Sequence, residues 1–344
     1  MLTQPPAKRP REDDSEALAW TRHPDLWLAR GDIVLVCDAT GFCASQCILA
    51  LNSTVFQDMF ATVDPAQNEV FEGLSVVRLQ DSAEEMSHLL KAMHFRQYIQ
   101  KKSKPAFKVL AAVLKLSTKY MIDDLREEIV DTLASIFPST FASWSVDKRD
   151  YLPGDTDEMY AVELAKTYNI PIMLPMAFYI SCFFTLKEIV HPTTSAASNE
   201  TRWACAIFRD DLMGLIDKAL KDNRAAEQWL FQKALRCSDG NWRCAEDSCV
   251  ALIDESVREH ENKLRRLVVG DVLSPLVLRQ YDGSQGPGCQ TFKDHLRQYW
   301  VGMQKRIWDA LPSLCGFKDW AAVEAAQAAS MATKTQENSS TSDI

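Results

Sequence analysis

Between residues 31 and 60 the spacing of apolar positions changes from a strand pattern to a helical one. Ile33 to Val36 form an unbroken, mostly β-branched run too short for a helix, which predicts a strand. Asp38-Ala39-Thr40-Gly41 supplies turn residues, including a glycine free to take positive φ, and Phe42 to Ser45 completes a hairpin. Beyond it Ile48, Leu49, Val55, Phe56, Met59 and Phe60 recur at helical spacing, interrupted by Asn52-Ser53. Those two residues favour a cap over a helix interior, so the pattern predicts two short helices, the second capped by Ser53.

Further along, Ser75 to Leu79 reads as a third strand. Asp81-Ser82-Ala83-Glu84-Glu85 then offers a cap with acid in the first turn, where the helix dipole favours it. That helix runs through Met86, Leu89, Leu90 and Met93, and two more amphipathic helices are expected at 106–119 and 122–136, stopped by Pro138. Past a connector at 138–156 the pattern is almost entirely helical, at 157–168, 172–188, 209–221, 224–236, 244–266 and 289–310, with breaks at His191–Asn199 and Gln280–Gly288. No repeat of fixed period is visible. Residues 1–23 are Pro-rich and charged and read as a disordered tail, as do residues 321–344.

The order strand, hairpin, helix, cap, helix resembles the BTB/POZ domain. It is carried by Gly31-Asp32-Ile33-Val34-Leu35, then Phe42, Ile48-Leu49-Ala50, and Ser53-x-x-Phe56-x-x-Met59-Phe60. The longer chain is similar to fungal, basidiomycete-type BTB proteins with a helical C-terminal extension, through Val76-Val77-x-Leu79-x-Asp81-Ser82-Ala83-Glu84 and Trp308-x-x-Leu311-Pro312-x-x-x-Gly316. The resemblance implies an α+β, predominantly α-helical chain: a BTB/POZ domain at 24–137, with a small β-sheet capped by a helical cluster, and then an all-α domain at 157–320. It also implies a core and interface drawn from Asp32, Phe42, Leu49, Ser53, Phe56, Met59 and Phe60. In the family the Asp32 position contributes to a charged pocket at the dimer interface, and its basic partner follows the hairpin. This chain has Ser45 and Gln46 there, so a buried Asp32 would stand uncompensated. The implied function is non-enzymatic: self-association as a homodimer and docking of other proteins, in a transcription-linked scaffold. The alternative is a substrate adaptor for a cullin-type ubiquitin ligase. Such adaptors carry a hydrophobic-x-Glu motif, whose nearest match here is Val70-Phe71-Glu72.

Composition narrows the choice. A chain of 344 residues has room for two folding units, and 47% hydrophobic with 25% charged residues is ordinary for a globular protein. A formal charge of −9 disfavours nonspecific binding to nucleic acid or to an anionic membrane surface. No apolar run spans a bilayer, and the first residues lack the apolar core of a secretory signal, so an intracellular protein is expected. Lys8, Arg9 and Arg11 form a basic cluster that resembles a single-part nuclear import signal; a solvated charge run is the plain alternative. The ten cysteines are expected to be free thiols. Cys237, Cys244, Cys249 and Cys289 lack the tight paired spacing that zinc requires, and no metal or cofactor is expected. No phosphate-binding glycine loop, G-x-S-x-G elbow or H-E-x-x-H helix occurs. Asp155-x-Asp157 and Asp210-Asp211 fall where helix caps are expected, which accounts for them without catalysis.

Overall fold

The β-branched run at 33–37 is buried on both faces, and the sheet is built around it. The computed structural model describes residues 20–62, 69–95, 97–99, 105–144, 157–191, 195–235, 273 and 290–340. Contacts divide the chain into two units, one drawn from Met1–Lys101 and Ala112–Arg126, the other from Lys102–Ala111 and Glu127–Ile344.

The first unit holds a five-stranded sheet: β1 (Thr21–Trp27), β2 (Ile33–Cys37), β3 (Thr40–Ala44), β4 (Val70–Phe71) and β5 (Leu74–Leu79), in the order β1-β3-β2-β5-β4. β2 pairs antiparallel with β3 and parallel with β5, in register Ile33↔Ala44 and Ile33↔Ser75. Every residue of β2 is buried because the sheet carries apolar groups on both faces. That explains a continuous hydrophobic run where a half-exposed strand would alternate. On one face Ile33, Leu35, Cys37, Phe42 and Ala44 pack against Leu49, Phe56, Met86, Leu89, Leu90, Leu116, Tyr120 and Ile122. Met59 and Phe60 lie partly buried against that core. On the other face Val34, Val36 and Val76 meet Trp20, with Trp27, Phe71 and Leu74 around them.

The helices of this unit are α1 (Gln46–Asn52), α2 (Thr54–Thr62) and α3 (Ala83–His94), with parts of α4 (Phe107–Lys119) and α5 (Asp123–Ile136). Ser53 separates α1 from α2 as expected: its buried Oγ accepts the Phe56 N–H at 3.0 Å and donates to the Tyr120 carbonyl. The other two caps come from elsewhere. Neither Ser45 nor Ser82 makes a side-chain cap. Instead Asp32, just before β2, accepts the Gln46 N–H at 2.6 Å, and Asp38, just after β2, accepts the Ala83 N–H at 2.9 Å. Asp81, expected in the cap, is buried and takes hydrogen bonds from Lys119 Nζ and the Tyr120 hydroxyl.

Two expectations at the sheet's edge need correction. The ordered chain begins before residue 24, since Trp20 is buried and β1 starts at Thr21. Positive φ in the hairpin belongs to Asp38 (φ 48°), with Gly41 inside β3. Gly41 is needed for space: a Cβ there would lie 2.3 Å from the Trp20 ring.

The second unit contains α6 (Glu158–Thr167), α7 (Leu174–Ser181), α8 (Leu186–Val190), α9 (Asn199–Leu235), α10 (Gln290–Leu314) and α11 (Trp320–Ser340). Asp157 caps α6 by accepting the Tyr160 N–H at 2.9 Å, as its position in the sequence predicts. Asp210 and Asp211 do not cap; they lie exposed inside α9, which starts earlier, with Ser198 Oγ accepting the Thr201 N–H. The expected helix at 172–188 is split by Thr185, whose capping box with Glu188 opens α8. Helix α11 replaces the expected tail from 321, because Val323 is fully buried and Trp320 stacks on Trp308 at 4.8 Å. Trp320 Nε1 also donates to the Trp308 carbonyl, and Gly316 takes φ 83° between the two helices. The Trp308 to Gly316 motif thus builds a helix corner.

The Phe56 ring lies 4.3 Å from the Tyr120 ring at an interplanar angle of 8° and is fully buried. Phe56→Ala should therefore destabilise by about 3–5 kcal/mol. Ser53→Ala should cost about 2 kcal/mol, the upper end for a lost cap, because the Tyr120 carbonyl loses its donor as well. Urea unfolding of the two variants checks both magnitudes and their order.

Candidate functional site

Helix α1 buries one residue of its seven, Leu49. Its other side presents Ile48 (36% exposed) and Leu51 (83% exposed), and Met121 (48% exposed) lies at the start of α2, its sulfur 3.6 Å from Thr54 Oγ1. No charged side chain occurs from Gly41 through Gln57. A short surface helix without charge, and with leucine and isoleucine turned outward, departs from the usual amphipathic division.

Asp32 lies at the start of that helix. It is exposed and engaged with the Gln46 N–H, so the absence of a basic partner costs it nothing. The expected problem of an uncompensated buried charge does not arise. Phe42, Leu49, Ser53 and Phe56 are all buried, and with Met59 and Phe60 they support α1 and α2 from beneath.

A second grouping covers the other face of the sheet, the one on which Val34, Val36 and Val76 lie. Trp20 and Phe71 reach it from opposite edges and meet edge to face at 5.0 Å; Trp27 completes the triangle at 6.1 Å from each. The Arg22 guanidinium lies over Trp27 at 4.5 Å and over Phe71 at 5.1 Å, and pairs with Glu72 at 2.6 Å. Phe71 and Glu72 of the candidate hydrophobic-x-Glu motif are thus engaged within the first unit. Sequence reading found Phe71-Glu72 but missed Arg22, Trp27 and Trp20, which come from β1 and the residue before it, a stretch disguised by Pro24 and by Arg22, His23 and Asp25.

The chemistry expected to be absent leaves few groups to place. Cys237, Cys244, Cys249 and Cys289 lie outside the described residues, as do Lys8, Arg9 and Arg11. Among the described residues no group of three His, Cys, Asp or Glu side chains is arranged to hold a metal, and no helix is long and apolar enough to cross a membrane. Cys37 and Cys315 are pushed up to about 12 and Cys205 to about 11, in each case chiefly by burial. Such thiols stay protonated and unreactive at neutral pH.

His23 braces the stretch of β1 over which the pairing with β3 loses register. Its Nδ1 accepts the N–H groups of Asp25 (3.1 Å) and Leu26 (3.2 Å), and the ring stacks on Phe42. Nδ1 must therefore be unprotonated. Burial first, and the Lys91 charge second, hold its pKa below the ordinary 6.5, with Asp25 opposing. Because the folded state disfavours the imidazolium, this contribution to stability is complete above about pH 6.5 and declines as the pH falls below it. Thermal melts of wild type and His23→Gln across pH 5 to 8 should diverge above that pH, with wild type the more stable, and converge below it.

Comparison with known proteins bears on the first unit and on α4 and α5. A search of curated proteins finds no match to the chain. A protein-family model does match, over residues 28–135, spanning β2 to β5 and α1 to α4 and ending at the last turn of α5. Residues 28–135 of this chain are a BTB/POZ domain, the segment to which the hairpin, the Ser53 cap and the buried Phe56 all belong.

Proposed function

We propose that the protein is a non-enzymatic interaction module that self-associates through the exposed face of α1 and docks other proteins, serving as a transcription-linked scaffold of the kind its resemblance to fungal BTB proteins implies. The BTB/POZ match supports protein–protein interaction as the class of function. The observation that carries self-association is the charge-free α1, with Leu51 83% exposed. Two copies of a chain of net charge −9 repel one another at most points of their surfaces. Helix α1 itself carries no charged side chain, the Asp32 carboxylate at its start being engaged with the Gln46 N–H, and a two-fold axis beside the helix would set the patch of Ile48, Leu51 and Met121 against the same patch of a second copy. An interface of standard size, about 1,600 Å² in total, extends well beyond these three side chains. The cullin-adaptor reading is weaker, since the nearest hydrophobic-x-Glu match, Val70-Phe71-Glu72, begins ten residues past Phe60, later than such a motif is expected.

Because this interface is apolar, the dimer should persist from low to high salt, where exposed ion pairs would be screened. Light scattering of the full chain at micromolar concentration should give twice the monomer mass in both. Leu51→Asp, at a position too exposed to harm folding, should give the monomer. A wild-type monomer in both salts would remove self-association and leave docking of unlike partners.

Entry into the nucleus should depend on Lys8, Arg9 and Arg11. Replacing all three by alanine in a fluorescently tagged chain should shift its distribution towards the cytoplasm. An unchanged distribution would make the cluster a solvated charge run.

A further inference from the structure

We propose that the box formed by Trp27, Phe71 and Glu72, with Trp20 behind it, is a receptor for an arginine side chain of a partner protein, and that Arg22 fills it in the free chain. Two aromatic faces within 5.1 Å of one guanidinium carbon, and a carboxylate 2.6 Å from its Nη2, make a complete guanidinium site. Both rings attract a cation through their quadrupoles, and the carboxylate fixes its orientation. Arginine is favoured over lysine, because a planar, weakly hydrated guanidinium stacks on rings where a compact ammonium keeps its water.

The geometry of Glu72 adds a second argument. It takes φ 51° in the β4–β5 turn, beside Gly73 at φ 82°. Glycine, asparagine or aspartate would hold that turn at less cost. Glutamate supplies the longer side chain that reaches the box from the turn, a role the turn itself does not require.

The resident arginine is placed to be exchanged. The Arg22 and Glu72 side chains are 44% and 57% exposed, so their ion pair is a weak one. Arg22 lies in an edge strand whose pairing with β3 loses register between Arg22 and Trp27. Withdrawing it breaks no interior strand. The rings would remain held by Trp20 and by Val34, Val36 and Val76 beneath. An acidic chain also draws basic partners to its surface. None of this depends on α1 pairing with a second copy.

The test uses the full chain, labelled with 15N, and N-acetyl-arginine amide as the ligand, read from the Trp20 and Trp27 indole N–H resonances. Arg22→Ala empties the box and should bind the arginine amide about tenfold more tightly than wild type, in which Arg22 competes for the site. Arg22→Lys keeps the apolar stem over the rings and should show the same direction of change. Both variants should prefer the arginine amide to N-acetyl-lysine amide, and Phe71→Ala or Glu72→Gln added to either should abolish the shift. A folded Arg22→Lys that binds the two amides alike, or binds neither, would overturn the proposal. So would binding that survives loss of both Phe71 and Glu72.

Discussion

Tyr120 ties the first unit together. Its ring stacks on Phe56, its carbonyl takes the Ser53 hydroxyl and its own hydroxyl donates to the buried Asp81. One residue at the end of α4 thereby fixes the N-terminus of α2, the packing of α2 on the core and the chain leaving β5. Asp81 can be buried because Lys119 and Tyr120 both serve its carboxylate. Burial and the Asp81 hydrogen bond raise the Tyr120 pKa far above the ordinary value, so the hydroxyl stays a donor throughout the physiological range. The exposed face of α1 depends on this knot, since α1 is held by Leu49 below and by the Ser53 break at its end.

The first unit divides its surface chemistry between two regions. Helix α1 has no charged side chain of its own and turns isoleucine and leucine outward, with Met121 exposed near the start of α2, which suits a self-complementary apolar contact. Over the outer face of the sheet, aromatic rings enclose a cation and a carboxylate closes the group. The two differ in what they select: the first excludes charge, and the second requires a charge of one sign and one shape. Under the two proposals, a second copy and an unlike partner would bind separate regions and would not compete.

What the sequence made readable was local. The hairpin, the Ser53 cap, the buried Phe56 and the Asp157 cap each follow from residues within a few positions of one another. Strand β1 was hidden because Pro24 and charged neighbours contradict a strand, and its pairing with β3 comes from a distant part of the chain. Asp210 and Asp211 were misplaced because α9 begins at Asn199, and an acidic pair on an exposed helical face looks like a cap when the start is unknown. Helix α11 was unreadable because its alanine-rich sequence is neutral by itself; Trp320 and Val323 give it a place only once α10 is there to receive them. The aromatic box was half visible, as Phe71-Glu72, and its other half lies 50 residues away at Arg22.

The two aspartates that flank β2 have a consequence for the order of folding. Gln46 and Ala83 open their helices on carboxylates 14 and 45 residues earlier in the chain. Neither helix therefore has a side-chain cap from its own neighbouring residues, although α3 keeps Glu84 and Glu85 in its first turn. Strand β2 has to be in place before the starts of α1 and α3 are secured. Those contacts of long sequence separation couple the two helix starts to the strand, so that losing the place of β2 would loosen both at once.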